Sequence, residues 1–580
     1  MESDWLDVRA KLADLFLKAA LRTGAFDKSF DPELRVAEPR FGDFQVNGVL
    51  GFAKKQKQNP RKLGEVLLAS ALEDPELDTR CTLELSGPGF INIHLKAEFL
   101  FQWLRRFVGR CELNTLSGKT VVIDYSSPNT AKEMHVGHLR SMIIGESIQR
   151  LLRFAGAKVI RDNHLGDWGT QFGILIMAVK RAHLDITRLG SDALETFERL
   201  YREGVALTQQ DGQALEQARQ ELVKLQQGDP ENLAIWQKIN EASYRSFDEI
   251  YRQMGVAFDY VLGESFYRDR VDRIYTELQA VGLAEENEGA LVIFHREHER
   301  FKDQPFLIRK SDGASNYATT DLAAVLYRVE EFHADEIIYV TDGRQQDHFQ
   351  QLFLSVEKWF QKQHRPVPVL KHVWFGTVLG EDGRAIKTRS GDPVKLRQLM
   401  EEAIHWAYAM VDEKNSELAE SEKQEIARAV GLSAIKYADL SQNRTNDYVF
   451  SWQKMLAPEG NTAPYLLYAV ARLNALFRKL GVAPKQPSIG AITTSEERAL
   501  ACQIIAFPSV VRQAIDDLRP HYLCTYLYNL ASEFSSFYNA NRILGEADTV
   551  RNTRLLLCQF TRYVLKTGLS LLGIETIEKM

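Results

Sequence analysis

The sequence predicts a multidomain α/β protein, with a parallel sheet at its centre, a mixed α+β region before it and an all-helical region after it. Three observations carry this. First, TVVIDYSSPN (120–129), LRSMIIGESIQRLLRFAG (139–156) and KVIRDNHLGDW (158–168) read as strand, helix and strand, a β-loop-α-β unit that demands a parallel sheet with a right-handed crossover. Second, CTLELSGPGFINIHL (81–95) alternates apolar and polar residues around Gly-Pro-Gly, the pattern of an antiparallel hairpin. Third, nearly everything from about residue 395 onward has helical spacing. The chain's 580 residues also exceed one core, since cores stop growing near ~250–300 residues, so three or more domains are expected.

In chain order, residues 1 to about 110 mix short strands with helices, closing with a helix at about 97–108 and a polar linker, GRCELNTLSG (109–118). The apolar, β-branched run at 120 ends in a polar loop, as a buried parallel strand does. Its helix ends at Gly156, a C-cap. The stretch 190–255 is charged and largely helical, without β-branched runs, and reads as an insertion. Strand-like pieces at ALVIF (290–294) and EIIYVTD (336–342) suggest that the sheet resumes after it. RPVPVLKHVWFG (365–376) reads as a junction, and GVAPKQPSIGAITT (481–494) as a loop within the helical region. There are no internal repeats.

Composition bounds the function classes. With 45% hydrophobic and 26% charged residues the chain is ordinary for a soluble globular protein. No stretch approaches ~18 consecutive apolar residues, so no membrane span is expected. The start, MESDWLDVRAKLADLF, has acids where an export signal would be basic and then apolar. Cys81, Cys111, Cys502, Cys524 and Cys558 lie far apart, which fits neither a zinc site nor a disulfide scaffold and suits a reducing cytoplasm. The net charge of −6 is unevenly spread: zero over residues 1–115, −9 over the middle, and +3 over 458–580.

The densest chemical signal is SSPNTAKEMHVGH (126–138), between the first parallel strand and its helix. His135 and His138, three apart at a helix start, share one face. Gly137 lets a flat ring or a phosphate approach the backbone. A helix N-terminus offers unpaired N–H groups and a positive dipole end, and two imidazoles there can donate to phosphate oxygens. The C-terminal end of a strand is also where open α/β sheets bind ligands.

These residues carry a resemblance. HVGH looks like the HIGH signature of class I aminoacyl-tRNA synthetases, and SSPN-AK--HVGHLRS followed by NHLGDWGTQFG (163–173) resembles arginyl-tRNA synthetases, in their bacterial form. The likeness extends through GPGFINI (87–93), NYATTDLA (316–323), SAIKYADLSQNRTNDYVFSW (433–452), EGNTAPYLLYA (459–469), FYNANRIL (537–544) and the tail LGIETIEKM. It implies a Rossmann-type catalytic domain at 116–375 with a helical insertion at about 182–262. It also implies an N-terminal domain at 1–115 contacting the tRNA D-loop, a signature-loop and stem-contact region at 376–457, and a helical anticodon-binding domain at 458–580. The implied activity is arginine–tRNA ligation in the cytoplasm by a monomer, with arginine, ATP and tRNA as partners. Magnesium would arrive bound to ATP, with no structural metal. Adenylate formation in this family usually needs tRNA.

Site residues follow from the matching motifs. Asn129, His135 and Gln345 would hold the α-amino and carboxylate ends of arginine, and His135, Gly137 and His138 would bind ATP. A guanidinium needs planar, bidentate acceptors. Tyr317 and Asp321, four apart at a helix start, can share a pocket wall, and Glu264 matches the second carboxylate. Lysine would be rejected because an ammonium leaves acceptors unpaired. The chain departs from the KMSKS signature: IKTRSG (386–391) keeps Lys387 and Ser390 but has Arg389 near the second lysine. In relatives that relax this motif, a lysine just before HIGH compensates, and its match is Lys132.

Phe90 and Asn92 match the family's F-x-N place for the tRNA D-loop, though Phe90 reads equally as a packed strand residue. The cluster Lys54, Lys55, Lys57, Arg61 and Lys62 can neutralise phosphates or simply be solvated. Tyr538, Asn541 and Arg542 suit an unstacked anticodon loop, with core packing as the alternative for the aromatic. An intact HVGH beside Asn129, Tyr317, Asp321 and Gln345 argues against a catalytically dead tRNA-binding relative. Two pocket carboxylates argue against an apolar amino acid, since buried unpaired carboxylates are costly.

Overall fold

The computed structural model describes residues 5–190, 192–311, 313, 315–386, 394–414, 416–481, 490–543 and 545–579. They form two compact units: Met1–Leu113 with Ala457–Ser570 and Ile574–Met580, and Asn114–Leu456 with Leu571–Gly573.

The first unit joins an antiparallel sheet to a helical body. Its strands β1 (Leu34–Val36), β2 (Phe44–Val46), β3 (Cys81–Ser86) and β4 (Phe90–Leu95) lie in the order β1-β2-β4-β3. The β3–β4 hairpin turns where expected, with Gly87 and Gly89 at φ +55° and +138°. A Cβ on Gly89 would lie 2.5 Å from the Pro60 carbonyl, so this turn needs glycine for space as well as for conformation. The helix Ala97–Phe107 follows, and its Trp103 stacks on Phe560 of the C-terminal helix Asp548–Leu571. Arg498, on the helix Ser495–Ile505, pairs with Asp43 at 2.6 Å. That helix opens with a capping box in which Thr494 accepts from the Glu497 N–H and Glu497 accepts from the Thr494 N–H.

The second unit is built on a parallel sheet. Its strands in chain order are β5 (Thr120–Tyr125), β6 (Lys158–Asp162), β7 (Ala284–Asn287), β8 (Ala290–Ile293), β9 (Phe306–Arg309), β10 (Glu336–Val340) and β11 (Val369–His372). The parallel sheet has the order β11-β10-β5-β6. The helix Val136–Phe154 connects β5 to β6 and ends in the left-handed Gly156 at φ +89°. Gln346–Lys362 connects β10 to β11. Three helices, Ala193–Gln210, Gly212–Gln226 and Pro230–Gln253, lie where the charged stretch 190–255 reads as an insertion. They close a core with the helix Thr170–Arg181 around Phe172, Ile176, Phe197 and Ile239.

Two expectations need correction here. ALVIF does not rejoin the parallel sheet: β8 is the middle strand of a separate antiparallel meander with β7 and β9. The two-residue turn at Glu288 and Gly289, both at positive φ (+51° and +81°), folds the chain straight back, which only an antiparallel pair permits. Conversely, the segment read as a junction at 365–376 supplies β11, the edge strand. Its prolines precede the ladder and therefore remove no sheet hydrogen bond.

The sheet is locked from within by charge. The Arg328 guanidinium, on the helix Tyr317–Glu330, is fully buried and meets Asp124 at the end of β5 (2.6 Å) and Asp162 at the end of β6 (2.7 Å). Breaking one partner of such a pair would strand a buried charge, at a cost of about 3–5 kcal/mol. This ties the helix carrying Tyr317 and Asp321 to the two strand ends that open into the site.

Candidate active site

The C-terminal ends of β5, β6 and β10 lead into Ser126–His135, Asn163–Trp168 and Thr341–Gln345, the position that open parallel sheets reserve for ligands. His135 is the N-cap of the helix Val136–Phe154, and its Nδ1 accepts from the Gly137 N–H at 3.0 Å. His138, one turn along, accepts on its own Nδ1 from the His135 N–H at 3.1 Å. The two rings lie 4.0 Å apart, centroid to centroid. With each Nδ1 an acceptor, each Nε2 carries the ring proton as long as the ring is neutral. Burial lowers the His135 pKa, and the charges of Lys132 and Arg344 lower it further. Burial, then the neighbouring His135, pushes His138 down to about 3. The helix start therefore presents neutral N–H donors near two cations, a set suited to phosphate oxygens. Gly137 has a steric reason too: a Cβ there would lie 2.7 Å from the capping His135 ring.

Beside this is a cavity of about 640 Å³ whose walls include Asn129, Trp168, Gln171, Glu264, Tyr317 and His348. Leu222 and Gln226 of the insertion also line it. His348 donates from Nε2 to Asp321 Oδ2 at 2.6 Å and makes an edge contact with the Tyr317 ring at 4.8 Å. Burial pushes the Asp321 carboxyl up, but the His348 hydrogen bond and the charges of His348, His164 and Arg328 outweigh it and hold the group below the ordinary range. Glu264 goes the other way: burial, with Asp321 and Asp167 nearby, raises it to about 7 against the opposing pull of His164. His164 donates from Nδ1 to the Leu262 carbonyl at 2.9 Å and points Nε2 toward Asp321 at 3.9 Å. Burial lowers its pKa, yet the charges of Asp124 and Asp321 more than offset this and raise it. The result is an anionic pocket whose first carboxylate is fixed in orientation and charge, as recognition of a planar cation requires.

The expected site residues are thus distributed as follows. Asn129, Glu264 and Tyr317 line the cavity, and Asp321 is joined to it through His348. Asn129 packs over Gly166, where a Cβ would lie 1.9 Å from its Oδ1. Gln345 is exposed in the short turn Gly343–Gln345, and it is its neighbour Arg344 that lines the cavity. Lys132 is exposed, with its Nζ 5.0 Å from the Tyr201 ring centroid. Lys387, Arg389 and Ser390 lie outside the described residues. His164 and His348 were not singled out from sequence, although His164 lies in the quoted NHLGDWGTQFG and His348 three residues after Gln345.

In the first unit, Lys54, Lys55, Lys57, Arg61 and Lys62 are all exposed. Arg61 donates to the carbonyl of Gly87, in the hairpin that presents Phe90. Phe90 and Tyr538 are half-buried and Arg542 is exposed, while Arg472 covers the Tyr538 ring at 4.1 Å. Two residues expected at the RNA are largely buried. Asn92 is 4% exposed and accepts from Gln45 at 2.6 Å. Asn541 is 6% exposed, donates to the Phe537 carbonyl and accepts from Thr494. Among the described residues, no group of three or more His, Cys, Asp or Glu is placed to hold a metal ion, and no helix is long and apolar enough to cross a membrane.

Comparison with known proteins agrees with this geometry. Residues 108–452 match the family described as tRNA synthetases class I (R), catalytic domain. Residues 7–95 match the arginyl tRNA synthetase N terminal domain, and residues 466–580 the DALR anticodon binding domain. The chain is 42% identical to the arginine–tRNA ligase of Marinomonas sp. (strain MWYL1) over 585 residues, covering 99% of this chain and 100% of that one. It is 45% identical to the arginine–tRNA ligase of Cellvibrio japonicus (strain Ueda107), covering 93% and 94%. The crystal structure of arginyl-tRNA synthetase from Plasmodium falciparum superposes with a TM-score of 0.84 at 29% identity, covering 99% of each chain. A capped HVGH helix, an anionic pocket at the ends of a parallel sheet and these full-length matches agree: the chain belongs to the arginyl-tRNA synthetase family of class I tRNA synthetases.

Proposed function

We infer that the chain is an arginine–tRNA ligase working through the residues assembled above. In the first step an oxygen of the arginine carboxylate attacks the α-phosphorus of ATP, which enters as its magnesium complex, and pyrophosphate leaves. In the second the 2′-hydroxyl of the terminal adenosine of the tRNA attacks the arginyl carbonyl, and AMP leaves. His135 and His138 donate from Nε2 to phosphate oxygens as charge builds, next to the open backbone at Gly137. Lys132 adds positive charge there, together with Lys387 and Arg389 of the signature segment, whose Ser390 binds ATP. Asp321 and Glu264 take the guanidinium while Tyr317 covers it. Asn129, His135 and Gln345 hold the α-amino and carboxylate ends.

The observation that carries this reading is Asp321: a carboxylate held below its ordinary range and oriented by a 2.6 Å hydrogen bond from His348, beside the cavity that Glu264 and Tyr317 line. Residues 116–375 form the catalytic region with an insertion at about 182–262, and 376–457 the signature-loop and stem-contact region. Residues 1–115 meet the tRNA D-loop through Phe90, Asn92 and the basic cluster. Residues 458–580 meet the anticodon loop through Tyr538, Asn541 and Arg542. The protein acts as a cytoplasmic monomer. Incubating the purified protein with total tRNA, ATP and a panel of labelled amino acids tests the reading. Arginine alone is expected to be esterified, and charging of lysine, or of no amino acid at all, contradicts it.

A further inference from the structure

The segment Ser126–His135 has an unusual backbone. Ser126, Ser127 and Ala131 all lie in the left-handed region, at φ +74°, +44° and +69°, although none is glycine. L-residues with a Cβ avoid that region, and such a cluster persists only where surrounding contacts over-determine it. Many of those contacts come from the helical insertion. Ser243, fully buried on the helix Pro230–Gln253, accepts from the Ala131 N–H at 2.9 Å and donates to the Ile239 carbonyl at 2.8 Å. Tyr251 on the same helix bonds Ser126 Oγ at 2.9 Å and accepts from Asn163 Nδ2 at 3.1 Å. The other atom of that amide, Asn163 Oδ1, takes the Ser127 N–H at 3.0 Å, which fixes how the amide is turned. The Ala131 methyl lies in the core that the insertion helices close. Further along, Tyr201 lies under Lys132, and Lys395 forms an ion pair with Glu133 and lies 3.9 Å from Glu198 of the insertion. The strand-like pairing of His135 with Lys395 completes the frame, with the Val136 N–H on the Val394 carbonyl at 3.0 Å.

We propose that the insertion is a positioning element for the activation step: Ser243 and Tyr251 hold the left-handed Ser126–Ala131 backbone, and through it the placement of Asn129, Lys132 and the His135 cap. This rests on the function proposed above, and it gives the charged insertion a task that its composition did not disclose. Neither Ser243 nor Tyr251 need touch a substrate.

The test uses the full-length protein, with tRNA present, in arginine-dependent ATP–pyrophosphate exchange, with active sites counted by adenylate formed per chain. Ser243→Ala and Tyr251→Phe are each expected to lower kcat per active site about tenfold, with the KM for arginine changed by less than about twofold, because a displaced group costs rate before it costs the guanidinium pocket. The decisive variant is the double substitution Ser243→Ala with Ala131→Gly. Glycine adopts φ +69° without penalty, so it should recover most of the lost kcat even though the hydrogen bond stays missing. A purely structural role predicts the reverse, since Ala131→Gly removes a buried methyl and adds chain entropy. The proposal is overturned if Ser243→Ala and Tyr251→Phe leave kcat per active site unchanged. It is equally overturned if the double variant is no faster than Ser243→Ala alone. Wild-type protein that fails to exchange pyrophosphate at all would instead remove the functional reading on which this rests.

Discussion

At the start of the helix Val136–Phe154, His135 and His138 are held below the usual histidine range, by burial first, then by Lys132 and Arg344 at His135 and by the His135 ring at His138. At the end of β6, His164 is just as enclosed, but Asp124, Asp321 and Glu264 face it and its pKa rises. Burial acts in the same direction on all three rings, so the sign of the shift is decided by the charge beside each ring. The comparison teaches how one site can serve a substrate pair of opposite charge. Neutral N–H donors near Lys132 and Arg344 suit a polyanion. A carboxylate kept anionic by histidines, as Asp321 is, suits a guanidinium.

The largest break in that division should come from Asp321→Asn. The amide can still accept from His348 Nε2, so the pocket keeps its shape and loses only its fixed charge. The KM for arginine in tRNA-dependent pyrophosphate exchange is expected to rise about 300-fold, the scale for truncating one partner of a buried charged pair. The KM for ATP should stay within about twofold; equal loss on both substrates would contradict the division.

Next in size is His135→Asn. Asparagine is a good N-cap, so the helix start should survive while the Nε2 donor is lost, and kcat is expected to fall about 100-fold. His135→Ala loses the cap as well and should cost about 1 kcal/mol of stability in addition, read by denaturant unfolding. If Asn restores the activity that Ala loses, His135 is a cap and not a phosphate donor.

The smallest effect sharpens the comparison through pH. Glu264, raised to about 7, is protonated below that pH and leaves the pocket less anionic. The KM for arginine should therefore fall as pH rises from 6 to 8, by about fivefold, and Glu264→Gln should flatten the profile. A profile in Glu264→Gln identical to wild type would assign the titration elsewhere.

How much of this was legible beforehand differs by element. TVVIDY and EIIYV announced themselves as buried parallel strands because continuous β-branched runs suit a sheet covered on both faces. ALVIF carries the same composition, and nothing within it tells which partner it takes; the turn at Glu288 and Gly289 decided that. The strand Val369–His372 was hidden by the prolines before it. Tyr317 and Asp321 were readable from spacing and motif, and both turn toward His348. His164 and His348 were not, because an isolated histidine acquires meaning only from what the fold sets beside it. Histidine is not a usual N-cap residue either, so the reciprocal cap at His135 and His138 could not be inferred from local sequence rules. The burial of Asn92 and Asn541 was hidden for a tertiary reason as well: their amides bond Gln45, Thr494 and Phe537.

The most direct measurement on the division between the two ends is ¹⁵N chemical-shift titration of the histidine side chains, assigned with single His→Asn variants. At pH 7.5, His135 and His138 should both be neutral with the proton on Nε2 and a bare Nδ1, and His138 should stay so until pH approaches 4, since its pKa lies at about 3. His164 should carry more protonation at every pH than either of them. A proton on Nδ1 of His135 or His138, or a His164 that titrates below them, would contradict the assignment of neutral donors to the phosphates and an anionic, histidine-supported Asp321 to the guanidinium.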